Sequence, residues 1–387
     1  MRIAIVIDDL DRRRGGMSEW CWQFVNATAR RGFDLHVVAQ GFGEEPLPTQ
    51  VSRHRINRTN SRIAFSEQAA ELLRGLRPDV IHDTGIGWHF DIFQPHGGSY
   101  AAWLERRLDM YPWWFRAVKR PVDALLPRHR DFARHAHRQS AALGQSDKTV
   151  IALSNVVADD YERRHKIRAE QIKVVYNGVD CQRFSPAHRA SYRALVRRDL
   201  GVADDTLLLL LAAHNFRLKG VPELLATAGR LHAKGRKVHV AIAGGKRLEQ
   251  WRYSAKKFGL AGHVSFVGTI PNLVPYYAAA DAYVHPTYYD PCSLVLLEAA
   301  ASGLPIVTTR RYNGAVELFR EDDEILVAED PTASNALYEC VEALFDERLR
   351  AKFSAASRRV ALRNPIERNV AEIVRLYESR GRRTLAA

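Results

Sequence analysis

Five consecutive leucines stand in TLLLLLAA, residues 206–213, and a second apolar run of strand length, RIAIVID, covers Arg2 to Asp8. Neither alternates between apolar and polar positions, so neither fits a sheet with one wet face. Continuous runs of this kind belong to parallel strands covered on both sides, and parallel strands need helical crossovers between them. The chain supplies those. RIAIVID is followed by a polar, glycine-containing loop, an amphipathic stretch from about Ser18 to Arg31, and then DLHVVAQ. RPDVIHDTG reads as another strand, and KTVIALSNVVADDYERR as strand and helix. After VVYNGVDCQRFSP the pattern restarts: TLLLLLAAHNFRLKG, a helix near Val221 to Lys234, then KVHVAIAGG, HVSFVGTI and DAYVHPT. The expectation is two doubly wound α/β domains, residues 1–182 and 183–364, joined near 180 to 186. Ligand is expected in a cleft facing the carboxyl ends of both sets of strands. The tail NPIERNVAEIVRLYESR predicts a last helix within 365–387 that can cross back to the first domain.

Length agrees with two cores, because single cores stop growing at roughly 250–300 residues and this chain has 387. Hydrophobic residues at 46% and charged residues at 26% exclude extended disorder. Cys21, Cys181, Cys292 and Cys340 are scattered, without the spacing of a zinc site or a disulfide framework, and predict reduced thiols. MRIAIVIDDLDRRRGG lacks the pattern of a signal peptide, and no apolar run reaches the roughly 18–20 residues that span a bilayer. A net charge of +13 suits an anionic partner: nucleic acid, a phosphorylated small molecule or an acidic membrane surface. It also suits solubility alone.

One segment carries chemistry: HPTYYDPCSLVLLEAAASGLPIVTT, residues 285–309. DAYVHPT predicts a strand, Ser293 an N-cap, Ser293 to Ser302 a helix with Gly303 just past it, and GLPIVTT the next strand. A helix that follows a strand aims its free N–H groups and positive end at the ligand side, which suits a phosphate. Glu298, between the first and second turns, is placed to accept two ribose hydroxyls, and Asp290 precedes the helix in its loop. The plainer reading makes Glu298 a solvated helix residue and Asp290 a turn residue.

The segment resembles the nucleotide-sugar motif of retaining glycosyltransferases of the GT-B fold, family 4: an acid, seven residues, a glutamate, then a small-residue turn into a strand. Asp290 stands where glutamate is commoner, and Pro291 and Cys292 replace the usual small residues. Other matches follow in the family's order. Gly15 and Gly16 lie in the loop after the first strand, where backbone approaches the donor phosphate. HNFRLKG is similar to the basic element, giving Arg217 and Lys219 as diphosphate clamps, and NGAVELF to the G-x-x-E element through Gly314 and Glu317. His96, in FQPHGGSY, matches a histidine beside the transferred sugar; His82 and His89 have weaker claims.

The resemblance implies GT-B architecture, with two Rossmann-like domains facing a cleft, an acceptor-side first domain and a nucleotide-sugar-binding second one. In particular the pattern looks like that of the lipopolysaccharide-core α-glucosyltransferases. Implied with it are a UDP-hexose donor, UDP-glucose or a near relative, and a glycolipid or glycan acceptor. Arg217, Lys219, Ser293, Leu294 and Glu298 would hold the donor, Asp290 and His96 its sugar, with no cofactor and no metal. No protein carboxylate acts as nucleophile in that family; the clamped diphosphate leaves, and its oxygen takes the acceptor's proton on the same face.

Three other readings compete. A nicotinamide dehydrogenase needs a Gly-x-Gly-x-x-Gly turn after the first strand, which DDLDRRRGGM lacks, and Gln40 stands where its acid belongs. A nucleotide-sugar epimerase would use carboxylates as acid and base, and needs no acceptor. A basic nucleic-acid-binding protein has only charge in its favour, with no recognition motif; no nucleic-acid partner is expected. Finally, residues 103–138 carry nine Arg or Lys against four acids, with Trp103, Trp113 and Trp114 among them. Basic residues and interfacial tryptophans predict a peripheral contact with the cytoplasmic face of the plasma membrane. Pro112 and Pro121 are expected to break that stretch.

Overall fold

The computed structural model describes residues 1–386, with the backbone alone at 120–125, 127–129 and 381–386; Ala387, the end of the expected last helix, lies outside the described residues. The chain forms two units. One holds Met1–Asn177 together with the chain from Ile366 onward, and the other is Gly178–Pro365.

The first unit is built on a seven-stranded sheet. From edge to edge it runs Val51–Arg55, Asp34–Ala39, Arg2–Val6, Val80–Asp83, Ile92–Phe93, Thr149–Ala152 and Ile172–Val174, every pair parallel. The ladder thus starts in the middle and is laid outward to one side and then the other, the doubly wound arrangement. Ile3 to Val6 are at most 1% exposed because both faces are covered. Ala4 and Val6 pack with Val38, Phe65 and Val150.

In the second unit the six-stranded sheet reads Val264–Gly268, Val238–Gly244, Leu207–Ala213, Ala282–His285, Ile306–Thr309 and Leu326–Ala328, again all parallel. The leucine run is the central strand. Leu207, Leu209 and Leu211 pack against Leu224, Leu225, Val240 and Ile242, while Leu208 and Leu210 are buried on the opposite face. Each buried leucine contributes about 1.5–3 kcal/mol by leaving water, and Leu209→Ala is expected to cost about 2–5 kcal/mol.

Several boundaries differ from the sequence reading for local reasons. Residues 178–182, assigned to the first domain above, fall in the second unit. Val179 N–H donates to the Asn364 carbonyl at 3.1 Å, and Arg358 reaches the carbonyls of Cys181 and Phe184. The first helix covers Gly16–Ala29, so Gly16 is helical rather than a loop residue, and Ser18 donates to the Asp9 carbonyl from inside it. The basic stretch forms helices Tyr100–Asp109, Trp113–Leu125 and Pro127–Leu143. Pro121 does not break the second of these. The carbonyl it leaves without a donor belongs to Ala117, which is exposed and can turn to water.

The last helix, Ile366–Ala386, packs within the first unit. Trp20 donates its indole N–H to Asn369 at 2.9 Å, Asn369 donates to the Tyr176 carbonyl at 2.7 Å, and Tyr377 is hydrogen-bonded to His82. Among the described residues no helix is long and apolar enough to cross a membrane. All four cysteines are free thiols.

Candidate active site

Ser293 caps the helix Leu294–Ala301, its hydroxyl accepting from Leu296 N–H at 3.4 Å. Gly303 follows in the left-handed region, with φ of 72°, and turns the chain into Ile306–Thr309. The helix therefore presents its N-terminus at the carboxyl end of the Ala282–His285 strand, where a doubly wound sheet binds ligand. Neither acid is solvated: Asp290 and Glu298 are each 8% exposed. Glu298 Oε2 accepts from the Tyr277 hydroxyl at 3.0 Å, which holds its carboxylate, and the Val295 carbonyl, also 3.0 Å from that hydroxyl, shares its single proton.

Asp290 sits at the centre of a charge network. Its Oδ2 takes Lys219 Nζ at 2.6 Å and His285 Nε2 at 3.1 Å. Lys219 donates as well to the Tyr289 carbonyl at 2.9 Å. The backbone is pinned by Asp290 N–H on Tyr312 O and Gly314 N–H on Asp290 O, both 2.9 Å. Burial pushes the Asp290 carboxyl up, but the Lys219 charge and the His285 bond outweigh it and hold the group well below the usual carboxylate range. Burial in turn lowers His285. Lys219 and Asp290, given separate duties by the sequence reading, are partners here. His285 was missed; its only signal is its place at the end of a strand, five residues before the acid. Gly314 shares in the network through its N–H, whereas Glu317 is exposed.

The basic loop follows the leucine strand. Arg217 is exposed, and the helix Val221–Ala233 starts directly after Gly220. Gly220 has φ of 73°, and a Cβ there would stand 1.9 Å from the Pro286 carbonyl oxygen, so only glycine lets the loop lie against the His285–Pro286 turn. Arg217 lines a pocket of about 780 Å³ with His214, Asn215, Lys246, Arg247 and Trp251. Lys246 and Arg247 were not singled out from the sequence, although they follow Gly244 and Gly245 at the end of a strand. Together with Arg217 they bring three cations to one pocket, the charge an anionic leaving group calls for.

In the first unit, Gly15 is the N-cap of Gly16–Ala29 with φ of 126°, and its carbonyl accepts from Glu19 N–H at 3.0 Å. His96 follows the short strand Ile92–Phe93 and lies against Trp20 with ring centroids 4.2 Å apart and the planes tilted by 47°. Burial pushes its imidazole down to about 3, and its Nε2 is sealed from solvent without a hydrogen-bond partner among the described residues. A neutral imidazole with an uncommitted nitrogen can bond a hydroxyl without carrying charge. His82 is fully buried on Tyr377 and lowered to about 3, and burial also lowers His89. Asp83 was overlooked. It accepts from the N–H groups of Gly85, Ile86 and Gly87 at 2.7–3.0 Å and shapes the loop after its strand, while burial raises its carboxyl to about 6. Among the described residues no group of three or more His, Cys, Asp or Glu gathers as a metal site.

Two parallel doubly wound units, one with paired acids and cations beyond its strands, define a GT-B glycosyltransferase. The chain belongs to that class: residues 14–183 match Glycosyltransferase Family 4 and residues 193–360 match Glycosyl transferases group 1. A D-inositol 3-phosphate glycosyltransferase of Corynebacterium jeikeium is 29% identical over 291 residues, 70% of this chain and 63% of the relative, so the match spans less than two thirds of that relative's length. The crystal structure of WaaG, a glycosyltransferase involved in lipopolysaccharide biosynthesis, superposes with a TM-score of 0.81 at 19% identity, over 97% of this chain and 99% of that one. Anabaena Alr3699/HepE in complex with UDP-glucose gives 0.70 at 18% identity, over 98% and 100%.

Proposed function

We propose that the chain is a retaining hexosyltransferase that moves glucose from UDP-glucose to a glycolipid or lipopolysaccharide-core-like glycan, working at the cytoplasmic face of the plasma membrane. The observation that carries this reading is the second unit's constellation: a capped helix N-terminus, the buried Glu298 held by Tyr277, and Asp290 fixed by Lys219 and His285, all beyond the carboxyl ends of the strands. UDP-glucose as donor is supported by its complex with the structural neighbour HepE, and a lipopolysaccharide-type acceptor by the part WaaG takes in lipopolysaccharide biosynthesis.

In this proposal Glu298 accepts the ribose hydroxyls and the helix N-terminus at Ser293 and Leu294 faces the diphosphate. Asp290, with both partners on Oδ2, turns its other oxygen to a sugar hydroxyl. Arg217 and Lys219 oppose the charge that grows on the diphosphate as the anomeric C–O bond breaks. The leaving phosphate oxygen takes the proton of the acceptor hydroxyl, and that hydroxyl's oxygen bonds the anomeric carbon on the same face. Gly15, Gly16 and His96 are proposed contacts of phosphate and sugar, and no metal takes part.

The test is a panel of nucleotide sugars offered to the purified chain with EDTA present, following nucleotide release with and without glycan acceptors and the product anomer by NMR. UDP release that depends on UDP-glucose and rises with acceptor, giving the α-product, is expected. Conversion of the donor sugar to an epimer without acceptor, an inverted product, or dependence on added metal overturns the corresponding part.

A further inference from the structure

At the amino ends of the second unit's strands, the sheet edge away from Lys219 and Asp290, three arginines close on one carboxylate. Asp281 precedes the Ala282–His285 strand. Its Oδ1 accepts from Arg189 at 3.3 Å and Arg193 at 2.8 Å, and its Oδ2 from Arg197 at 3.0 Å and Leu208 N–H at 2.9 Å. Arg197 lies below the surface, with its second terminal nitrogen on the carbonyls of Ala203 and Thr206. Arg189 and Arg193, with side chains 45% and 25% exposed, line a cavity of about 550 Å³. Arg350, Ser302 and Gly303 line it too.

The charges do not balance. Three guanidinium groups meet a single buried carboxylate. The other acids of the cavity have partners of their own: Asp204 lies 3.8 Å from Arg197 and Glu347 3.4 Å from Arg350, both pairs weakened by water because these acids are 97% and 87% exposed, and Asp205 pairs with Lys237, which leaves Arg189 and Arg193 sharing Asp281 with Arg197. The guanidinium of Arg189 is held below its ordinary range, first by burial and then by the charge of Arg193. Ser302, 8% exposed, places a hydroxyl-bearing side chain in the cavity lining. The cavity exceeds what an inorganic ion fills and lies within the size range of small-molecule sites. Planar guanidinium forks fit phosphate oxygens in pairs.

We propose that this cavity binds a phosphomonoester of monosaccharide size, with Arg189 and Arg193 on the phosphate and Arg350 and Ser302 on the remainder. It is a second site, separate from the donor-binding residues by the full length of the strands.

Calorimetry on the full chain tests this, with UDP present at saturation so that the nucleotide end is filled. Glucose 6-phosphate is expected to bind under these conditions, inorganic phosphate more weakly, and glucose not at all. Arg189→Gln and Arg350→Gln should each weaken glucose 6-phosphate binding about tenfold, the size of one lost charge-assisted hydrogen bond, with UDP affinity and unfolding midpoint as in the parent. Arg189 is chosen over Arg193 because its bond to Asp281 is the longer, 3.3 against 2.8 Å, and its side chain the more exposed. Absence of glucose 6-phosphate binding, its displacement by UDP, equal binding of glucose, or unchanged affinity in both variants overturns the proposal. Failure of UDP itself to bind counts against the nucleotide-sugar reading, and leaves the glucose 6-phosphate titration to decide this one.

Discussion

Lys219 Nζ stands 2.6 Å from Asp290 Oδ2, with the two side chains 20% and 11% exposed. The pair joins the loop after the leucine strand to the loop before the Ser293-capped helix. Removing one member leaves the other charged and largely out of water, which costs about 3–5 kcal/mol for fully buried pairs and less here. Lys219→Met and Asp290→Asn are each expected to destabilise by about 2 kcal/mol or more, and the double variant by at least about 1 kcal/mol less than their sum. Denaturant unfolding of the three variants measures the coupling; simple additivity would show that the pair is incidental. Because the charge opposite Lys219 is greatest in the transition state, Lys219→Met should also lower kcat more than it raises the donor KM.

Tyr277 fixes the carboxylate of Glu298 through a 3.0 Å hydrogen bond. Glu298→Ala is expected to weaken UDP binding about tenfold or more, Glu298→Gln less, and Tyr277→Phe by only about 1 kcal/mol, since it frees the carboxylate without removing it. Titration calorimetry with UDP ranks the three. Equal affinity in parent and Glu298→Ala would remove Glu298 from the nucleotide site.

Acid should loosen the first unit. His82 and His96 are lowered from 6.5 to about 3 and His135 to about 4, in each case chiefly by burial. Their neutral forms are those that fit, so their contribution is complete above pH 6.5 and is lost as pH falls below it, each by up to about 1.4 kcal/mol per pH unit. Asp83 works in the opposite direction: burial raises it from 3.8 to about 6, so the folded chain keeps its proton and gains stability as pH falls from 6 to 3.8. Three losses against one gain leave roughly 2 to 3 kcal/mol lost per pH unit between about 6 and 4. Urea unfolding at stepped pH, followed by the fluorescence of Trp20, whose ring lies against His96, reads this out. Stability that holds constant from pH 7 to pH 5 would contradict it.

The helix Trp113–Leu125 shows solvent a set of apolar side chains, with Trp113 79%, Val118 63%, Trp114 59% and Phe115 37% exposed. Lys119 and Arg116 lie on the same helix, and Trp103, half-buried, stacks on Tyr100 nearby in the sequence. Sedimentation with liposomes should require anionic lipid and fall as salt rises. Replacing Trp113 and Trp114 by Ser and Arg116 and Lys119 by Gln should abolish it while the unfolding midpoint holds. A folded variant that still sediments like the parent would rule this helix out as the membrane contact.

What the sequence disclosed was what local rules decide. Apolar runs marked the strands because a parallel strand must be apolar on both faces, and Ser293 and Gly303 marked the ends of one helix because capping is read within a few residues. The pairings were hidden. Lys219 and Asp290 are 71 residues apart, and nothing in HNFRLKG says that its lysine turns back onto an aspartate. The need for Gly220 comes from the Pro286 carbonyl, again a distant partner. Pro121 misled because the proline rule concerns the carbonyl left behind, and only the fold shows that Ala117 can give it to water.

Val179 and Pro365 lie side by side as a parallel bridge, so the polypeptide enters the second unit and leaves it at adjacent points. On a ribosome this has an order. The second unit is finished when residue 365 emerges, whereas the first, begun earlier, still lacks the helix that gives Trp20 its Asn369 and His82 its Tyr377. The unit begun first is thus the last to close, and until then its central polar groups wait for partners made after the whole of the second unit.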